Sequence, residues 1–416
     1  MKILVIGNGA REHAIIWKLL KDDESLKIYC APGNAGIGQI AENIDISIGD
    51  IEGLKAFAKG HQIDLTLVGP EQPLVEGIVD VFEEEGLSIF GPNQRAATLE
   101  GSKAFAKDFM AKYQVPTADY QVFEEKEAAL AFGKKVKYPV VVKADGLAQG
   151  KGVVIVENQG DYEAIIRMIL DEHKFQAAGQ KIVVESFLKG VEMSLMCLVD
   201  QHTIVPLESA KDYKKIGEGD CGLNTGGMGS YSPHHLMSPR LMEIIQQQVL
   251  SPIQRGLQAE GILFQGILFI GLMIEKGQPY VLEFNTRFGD PETQSVLPRL
   301  QTPLLDVIDS IQQNQLKNLK LDWAAETCVS VVLASQGYPE AYESQKIIKI
   351  DDLSGLVGLF HGGTAVLEEH LVTNGGRVMT LTGLGENAEV ARAKVYAGLD
   401  RIQFEGKTYR RDIADF

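Results

Sequence analysis

The first hundred residues alternate two patterns, and that alternation restricts the fold more than any other feature of the chain. KILVIG, LKIYCAPG, DLTLVGPEQPL and LSIFGPN are short apolar runs that reach glycine or proline at or near their ends. Between them lie segments with helical spacing, of which REHAIIWKLLK is the clearest. Strands covered on both faces read as continuous apolar runs, and an intervening helix returns the chain to the same edge. The expectation is an N-terminal doubly wound parallel α/β sheet. Ligands of such sheets sit beyond the carboxyl ends of the strands. Four loops fall there, at residues 7–11, 32–36, 69–73 and 91–93.

Beyond this sheet the pattern changes. SKAFAKDFMAKYQV has helical spacing and stops at Pro116. From about 120 to 188, the runs YPVVVKA, GVVIVE and KIVVESFL surround a glycine-rich loop and the helical segment DYEAIIRMILDEH, the outline of a small α+β unit. Longer strands and helices return between 190 and 320, among them LMEIIQQQVLSPIQRGLQAEG. The last stretch, from TCVSVVLAS to YRRDIADF, is strand-rich with Gly-Gly turns. A chain of 416 residues, 45% hydrophobic and 23% charged, has material for roughly two to four globular units.

The formal net charge of -16 argues against general nucleic-acid or anionic-membrane binding. Any phosphate must then be met by a local cluster of Lys, Arg or backbone N–H groups. Cys30, Cys197, Cys221 and Cys328 are scattered without a C-x-x-C pair, which speaks against a zinc site or disulfide framework and fits reduced thiols. MKILVIGNGAREH reads as a buried strand followed by a polar turn and not as a secretory signal. ILFIGLMI, at 267–274, is too short to span a bilayer. The expected setting is the cytoplasm, with no membrane partner.

Five polar segments interrupt this framework. Gly7-Asn8-Gly9-Ala10-Arg11-Glu12 begins like a dinucleotide fingerprint but has Glu12 at the third glycine, so it reads as a tight strand-to-helix turn. Lys143 ends the apolar run Val140-Val141-Val142 and leads into Gly146, Gly150, Lys151 and Gly152. A glycine-rich hairpin with lysines on both sides can lay N–H groups and cations over a polyphosphate. It lacks the G-x-x-x-x-G-K-[ST] spacing of a P-loop. KIVVESFLKG, with Glu192 beyond it, can offer backbone groups to a base and a carboxylate to ribose hydroxyls, or is an ordinary edge strand. GDCGLNTGGMG, at 219–229, is a loop permissive enough for close backbone approach to a ligand.

The fifth segment is VLEFNTRFGDPETQ. Glu283 and Asn285 lie two apart on a strand and share a face, with Leu282 and Phe284 expected to point into a core. Hard oxygen ligands of this kind suit Mg²⁺ or Mn²⁺, which need few protein ligands when they bridge to substrate phosphates. A solvated polar strand is the plainer alternative, but it leaves Arg287, Asp290 and Glu292 unexplained.

The order of these segments resembles that of the ATP-grasp enzymes. GNGAREHA, VGPEQPLVEG, GPNQRAATLEGSKAFAK, KADGLAQGKGV, NTGGMGSYSP and RFGDPETQ are more specifically similar to the glycinamide ribonucleotide synthetases, from residue 1 to the closing YRRDI. The resemblance implies an α/β and α+β multidomain fold. A doubly wound domain would cover 1–102, an ATP-grasp core 103–323 with a small lid at about 120–188, and a strand-rich C-terminal α+β domain 324–416. It implies ligation of glycine to 5-phosphoribosylamine with ATP, through a glycyl phosphate, in a single-function, monomeric enzyme with small-molecule partners and no nucleic acid.

Carried over residue by residue, the resemblance implies Glu283 and Asn285 as ligands of Mg²⁺ or Mn²⁺, and Lys103 and Lys143 as phosphate-binding lysines. Gly146, Gly150, Lys151 and Gly152 would form the lid loop over ATP. Glu185, Phe187 and Leu188 would form the adenine hinge, and Glu192 would hold the ribose. Arg287, whose planar guanidinium can bind a carboxylate or phosphate bidentately, would act with Lys143 on the transferring group. Gly9 and Glu71 would face phosphoribosylamine, and Asp212, Asn224 and Asp290 would contact substrate. Three departures stand out. The family's Gln-Asp-His-Lys-Arg run is Lys211-Asp212-Tyr213-Lys214-Lys215 here, its Asp-Thr-Gly-Pro-Asn run is Asp220-Cys221-Gly222-Leu223-Asn224, and residues 266–274 carry no metal-binding acid. Two rival functions remain in view: another ATP-grasp carboxylate–amine ligase, and a non-catalytic ATP-binding regulator.

Overall fold

The computed structural model of the protein describes residues 1–147, 152–171 and 179–416. The strand Lys2–Gly7 is the centre of a five-stranded parallel sheet. The sheet runs in the order Glu42–Asn43, Lys27–Pro32, Lys2–Gly7, Leu65–Val68, Ile89–Phe90. Its central strand is apolar and buried from Ile3 onward because both faces are covered. Ile3 and Val5 join one core with Ile15, Ile16 and Leu19 of the helix Ala10–Asp22. Leu4 and Ile6 join another with Leu54 and Ala58 of the helix Ile51–His61. The doubly wound N-terminal sheet is therefore as expected.

The helix Lys103–Tyr113 begins at Ser102, whose hydroxyl accepts from the Phe105 N–H at 3.1 Å. Two antiparallel four-stranded sheets follow. The smaller has the order Tyr120–Phe123, Ile182–Ser186, Val140–Ala144, Val153–Val156. Its core pairs Val140, Val142 and Ala144 with Tyr162, Ile166 and Ile169 of the helix Gln159–Leu170. The larger has the order Ile204–Pro206, Val191–Val199, Gly266–Glu275, Gln278–Asn285. Alternation along Gly266–Glu275 divides its side chains: Leu268, Ile270 and Leu272 face one core, while Ile267 and Phe269 share the core that contains Ile3 and Val5. The larger sheet is thereby fixed against the N-terminal one.

A further antiparallel sheet has the order Lys211–Asp212, Gly229–Ser232, Thr327–Ser335, Arg377–Gly385, Gly358–His361, with Lys407–Thr408 also paired to Thr327–Ser335. The C-terminal strands thus extend a sheet whose first two strands precede residue 324. The glycine-dense segment at 219–229 is not loop throughout. Cys221–Asn224 is a strand that pairs with Lys215–Gly217 around a turn where Gly219 has φ of 66°. Among the described residues, no helix is long and apolar enough to cross a membrane.

One local expectation fails. Phe284 is buried in a core, but Leu282 is only half-buried and lines the central cleft. Glu283 stands opposite Gly271 and Val281 opposite Leu272, so Leu282 is an extra residue in its strand. Such a bulge breaks the two-residue alternation and frees a carbonyl from the ladder. The Leu282 carbonyl accepts instead from Lys143 Nζ at 3.0 Å.

Candidate active site

A cleft of about 1230 Å³ lies where the N-terminal loops, the end of the strand Gln278–Asn285 and the C-terminal sheet converge. Gly9, Glu71, Lys103, Lys143, Gly152, Glu185, Asp212, Asn224, Glu283, Asn285, Arg287 and Asp290 all line it. Most residues expected at the site are therefore gathered in one place, though they are spread over 282 positions of sequence from Gly9 to Asp290 counted inclusively.

Glu283 is ringed by cations. Lys214 Nζ lies 3.3 Å from its Oε1 and 3.2 Å from Glu192 Oε2. Lys214, followed by Lys143 and Lys103 against the opposing effect of burial, holds the Glu283 carboxyl down to about 2. Burial works against a charge on Lys214, but Glu192, Glu283 and Asp212 together raise its pKa well above the ordinary lysine range. Asn285 Nδ2 donates to Glu100 Oε1 at 3.1 Å, which turns its amide oxygen to other partners. An ionised carboxylate and an amide oxygen at one strand end suit a hard divalent cation that completes its shell with phosphate oxygens. Among the described residues, no group of three or more His, Cys, Asp or Glu side chains is placed to hold a metal, so a cation here depends on such added ligands.

Lys143 and Glu185 form an ion pair at 2.7 Å, and Lys107 pairs with the other oxygen of Glu185 at 2.8 Å. All three are almost fully buried. Burial pushes the Lys107 ammonium down to about 8 despite Glu185. The Glu185 side chain is thus committed to two lysines, and its backbone lies in a strand paired on both sides, opposite Tyr120 and Val141. Lys103 donates to the Gly146 carbonyl at 2.9 Å, and burial lowers its pKa.

Arg287 is held between two carboxylates, with Nε 3.2 Å from Glu71 Oε2 and Nη2 3.0 Å from Glu100 Oε1. Although burial opposes its charge, Glu100 and Glu71 raise its pKa further. Burial likewise opposes the charge on Glu71, but Arg287 and Arg11 hold that carboxyl below the ordinary range. Glu100 is pushed up by burial, yet every hydrogen-bonding neighbour it has is a donor, which favours the carboxylate.

The Gly9 N–H donates to Glu12 Oε2 at 2.7 Å. A Cβ on Gly7 would meet Glu12 Cγ at 2.5 Å, and one on Gly69 would meet Glu12 Oε1 at 2.0 Å. The carboxylate fills the helix N-terminus where a dinucleotide fold would seat pyrophosphate. This is the physical reason that the broken G-x-G-x-x-G pattern is a turn.

From the C-terminal sheet, Arg377 reaches Asp290 Oδ2 at 2.7 Å and the Gly226 carbonyl at 2.6 Å. Asn224 Nδ2 donates to the Val153 carbonyl at 3.4 Å. Asp212 Oδ1 is buried without a hydrogen-bond partner, and burial, reinforced by Glu292, raises its pKa well above the carboxylate range.

Gly146, Phe187, Leu188 and Glu192 are not among the residues lining the cleft, and Gly150 and Lys151 lie outside the described residues. Glu100, Lys107, Lys214 and Arg377 belong to the site's ion-pair network, and sequence reasoning passed over them. Glu100 and Lys107 stand inside the run LEGSKAFAK, and Lys214 in the segment that departs from the family pattern; Arg377 carried no signal.

The phosphoribosylglycinamide synthetase N-domain model matches residues 1–100, the ATP-grasp (A) domain model residues 101–293 and the C-domain model residues 328–416. The phosphoribosylamine–glycine ligase of Caldanaerobacter subterraneus subsp. tengcongensis is 47% identical over 414 residues, covering 100% of this chain and 99% of the relative. The crystal structure of phosphoribosylamine–glycine ligase from Thermotoga maritima matches with a TM-score of 0.87 at 35% identity, over 99% of this chain and 100% of that one. A biotin carboxylase domain from Hydrogenobacter thermophilus, crystallised with MgADP, ADP and bicarbonate, shares the fold at a TM-score of 0.73 and 16% identity, over 98% of this chain and 91% of that one. With agreement of this kind along its whole length, the chain belongs to the phosphoribosylglycinamide synthetase family.

Proposed function

We propose that this cleft joins glycine to 5-phosphoribosylamine, giving glycinamide ribonucleotide, ADP and phosphate by way of a glycyl phosphate. The reaction class is that of the family, an ATP-dependent ligation of glycine in purine biosynthesis. The observation that carries the site assignment is the convergence of Lys103, Lys143, Glu283, Asn285 and Arg287 on one cleft.

In this reading Lys103 and Lys143 bind the ATP phosphates, with Lys143 held in place by Glu185. The hinge at Glu185, Phe187 and Leu188 offers backbone groups to adenine, and Glu192 receives the ribose. Gly146, Gly150, Lys151 and Gly152 cover the phosphates. Glu283 and the Asn285 oxygen would hold Mg²⁺ or Mn²⁺, which when bound would supply neutralisation of phosphate charge. Arg287 exchanges part of its contact with Glu71 and Glu100 for the glycine carboxylate or the transferring phosphoryl group. Gly9 and Glu71 face phosphoribosylamine, while Asp212, Asn224 and Asp290 contact the substrates. No protein nucleophile is required, since positioning and charge neutralisation supply the rate.

We take the units as 1–102, 103–323 and 324–416, with 120–188 closing over ATP. We take the protein as a monomer, and light scattering after size exclusion tests that state. The function is tested by ADP release with Mg²⁺, ATP, glycine and freshly generated phosphoribosylamine, each left out in turn. Release that needs every component, with glycinamide ribonucleotide formed in step, is the expected result. Turnover only with another acid and amine, or ATP binding without ADP, overturns it. Replacing Mg²⁺ by Mn²⁺ in the same assay decides the metal preference.

A further inference from the structure

The two ends of the Asn285 amide are nearly the same size, so packing does not choose between them. Only the oxygen can coordinate a hard cation, and only hydrogen bonding fixes which end faces the cleft. Nδ2 donates to Glu100 Oε1 at 3.1 Å, across 185 residues of sequence. Glu100 stands on the helix Gln94–Gly101, just before Ser102 and Lys103. Its Oε2 accepts from the Thr286 N–H at 2.6 Å and hydroxyl at 3.2 Å, and its Oε1 also meets Arg287 at 3.0 Å. One buried carboxylate thus gathers donors from three consecutive residues at the strand end. An acceptor in that position admits only the NH₂ end of Asn285.

We propose that Glu100 is a positioning residue that turns the Asn285 oxygen toward the cleft and thereby sets the affinity of the divalent-cation site. The proposal rests on the assignment of Glu283 and Asn285 as cation ligands. Glu100→Gln tests it with little change of shape. The Thr286 donors retain the oxygen of the introduced amide, so its NH₂ faces Asn285. Two NH₂ groups cannot bond to each other; Asn285 turns over and presents nitrogen to the cation. Adding Asn285→Asp removes the problem, because both ends of a carboxylate are oxygens.

The measurement is Mn²⁺ binding to the full chain saturated with ADP, read from the electron paramagnetic resonance of free Mn²⁺. ADP affinity in EDTA is measured alongside. Glu100→Gln is expected to weaken Mn²⁺ binding roughly 10- to 100-fold, the usual effect of losing a group that orients a ligand. ADP affinity without metal stays unchanged, and the double variant recovers most of the loss. Mn²⁺ affinity within about twofold of the parent for Glu100→Gln, far below that usual effect, overturns the proposal. So does a double variant that binds no more tightly than Glu100→Gln alone. Asn285→Ala separates the two layers: unchanged Mn²⁺ binding there sinks the ligand assignment itself. Weakened binding there, with Glu100→Gln unaffected, sinks only the role of Glu100. If Glu100→Gln does not fold, the double variant is compared with Asn285→Asp. Binding at least as tight supports the proposal, and weaker binding overturns it.

Discussion

Lys214 and Glu283 meet in the cleft, Nζ to Oε1 at 3.3 Å, from positions 69 residues apart. Lys214 is the largest influence holding the Glu283 carboxyl at about 2, ahead of the opposing effect of burial. The depressed value keeps the carboxylate ionised through the ordinary carboxylate range and lets it protonate only when pH falls through about 2. Lys214→Met leaves burial less opposed, so the titration moves up. Mn²⁺ affinity followed by electron paramagnetic resonance is expected to fall off at higher pH in the variant than in the parent. Identical profiles would remove Lys214 from this role.

Glu283→Ala is expected to abolish turnover with the fold intact, and EDTA is expected to do the same to the parent. Circular dichroism and the melting temperature check the fold, and ADP release checks the reaction. An active variant would refute the metal assignment.

Lys107, Glu185 and Lys143 form a buried group with two positive charges and one negative. Glu185→Ala leaves two ammonium groups without their carboxylate, at a cost of about 3–5 kcal/mol in unfolding free energy, because a buried charge has lost its partner. Urea denaturation measures it. Lys107→Met removes only one cation and leaves Glu185 paired with Lys143, so its loss should be the smaller one. The reverse order would show that Lys107, not Glu185, anchors the group.

Arg377 ties Asp290 to the glycine loop through its contact with the Gly226 carbonyl. Arg377→Ala is expected to lower kcat/KM for glycine roughly a hundredfold, the scale of an ångström of misplacement, while the KM for ATP holds. Arg377→Lys recovers little, since an ammonium lacks the planar fork. Equal losses for ATP and glycine would point to a general structural effect.

His13 and His361 meet where the N-terminal helix Ala10–Asp22 touches the strand Gly358–His361, with the His361 N–H donating to His13 Nδ1 at 2.9 Å. Burial, helped by His361, pushes His13 down to about 3, and burial pushes His361 down to about 4. Both are therefore neutral in the fold while the unfolded chain binds protons below about pH 6.5, so stability is lost as pH falls from there. At pH 5 the loss is about 2 kcal/mol for each histidine, measured by urea denaturation. His13→Gln should flatten the slope; an unchanged slope would place the acid sensitivity elsewhere.

The features legible in the sequence are those with local causes. Four apolar runs separated by helical spacing specify a parallel sheet, because strands covered on both faces have no polar side to show. Glu283 and Asn285 stand out because a two-residue spacing places both on one strand face, and the glycine-rich hairpin stands out because its backbone chemistry is written in adjacent residues. Leu282 escaped this logic. A bulge costs the partner strand nothing in sequence, so the alternation gives no warning of it. The 40 lysines and arginines look alike in sequence, and nothing local marks which become buried. Packing alone brings Lys107 to Glu185, Lys214 to Glu283, Arg377 to Asp290 and Glu100 to Asn285. The sequence by itself determined the class of sheet and the chemistry of the strand end. The tertiary structure decided which distant charges hold that chemistry in place, since burial and electrostatic partnership arise only when separate elements close on one cleft.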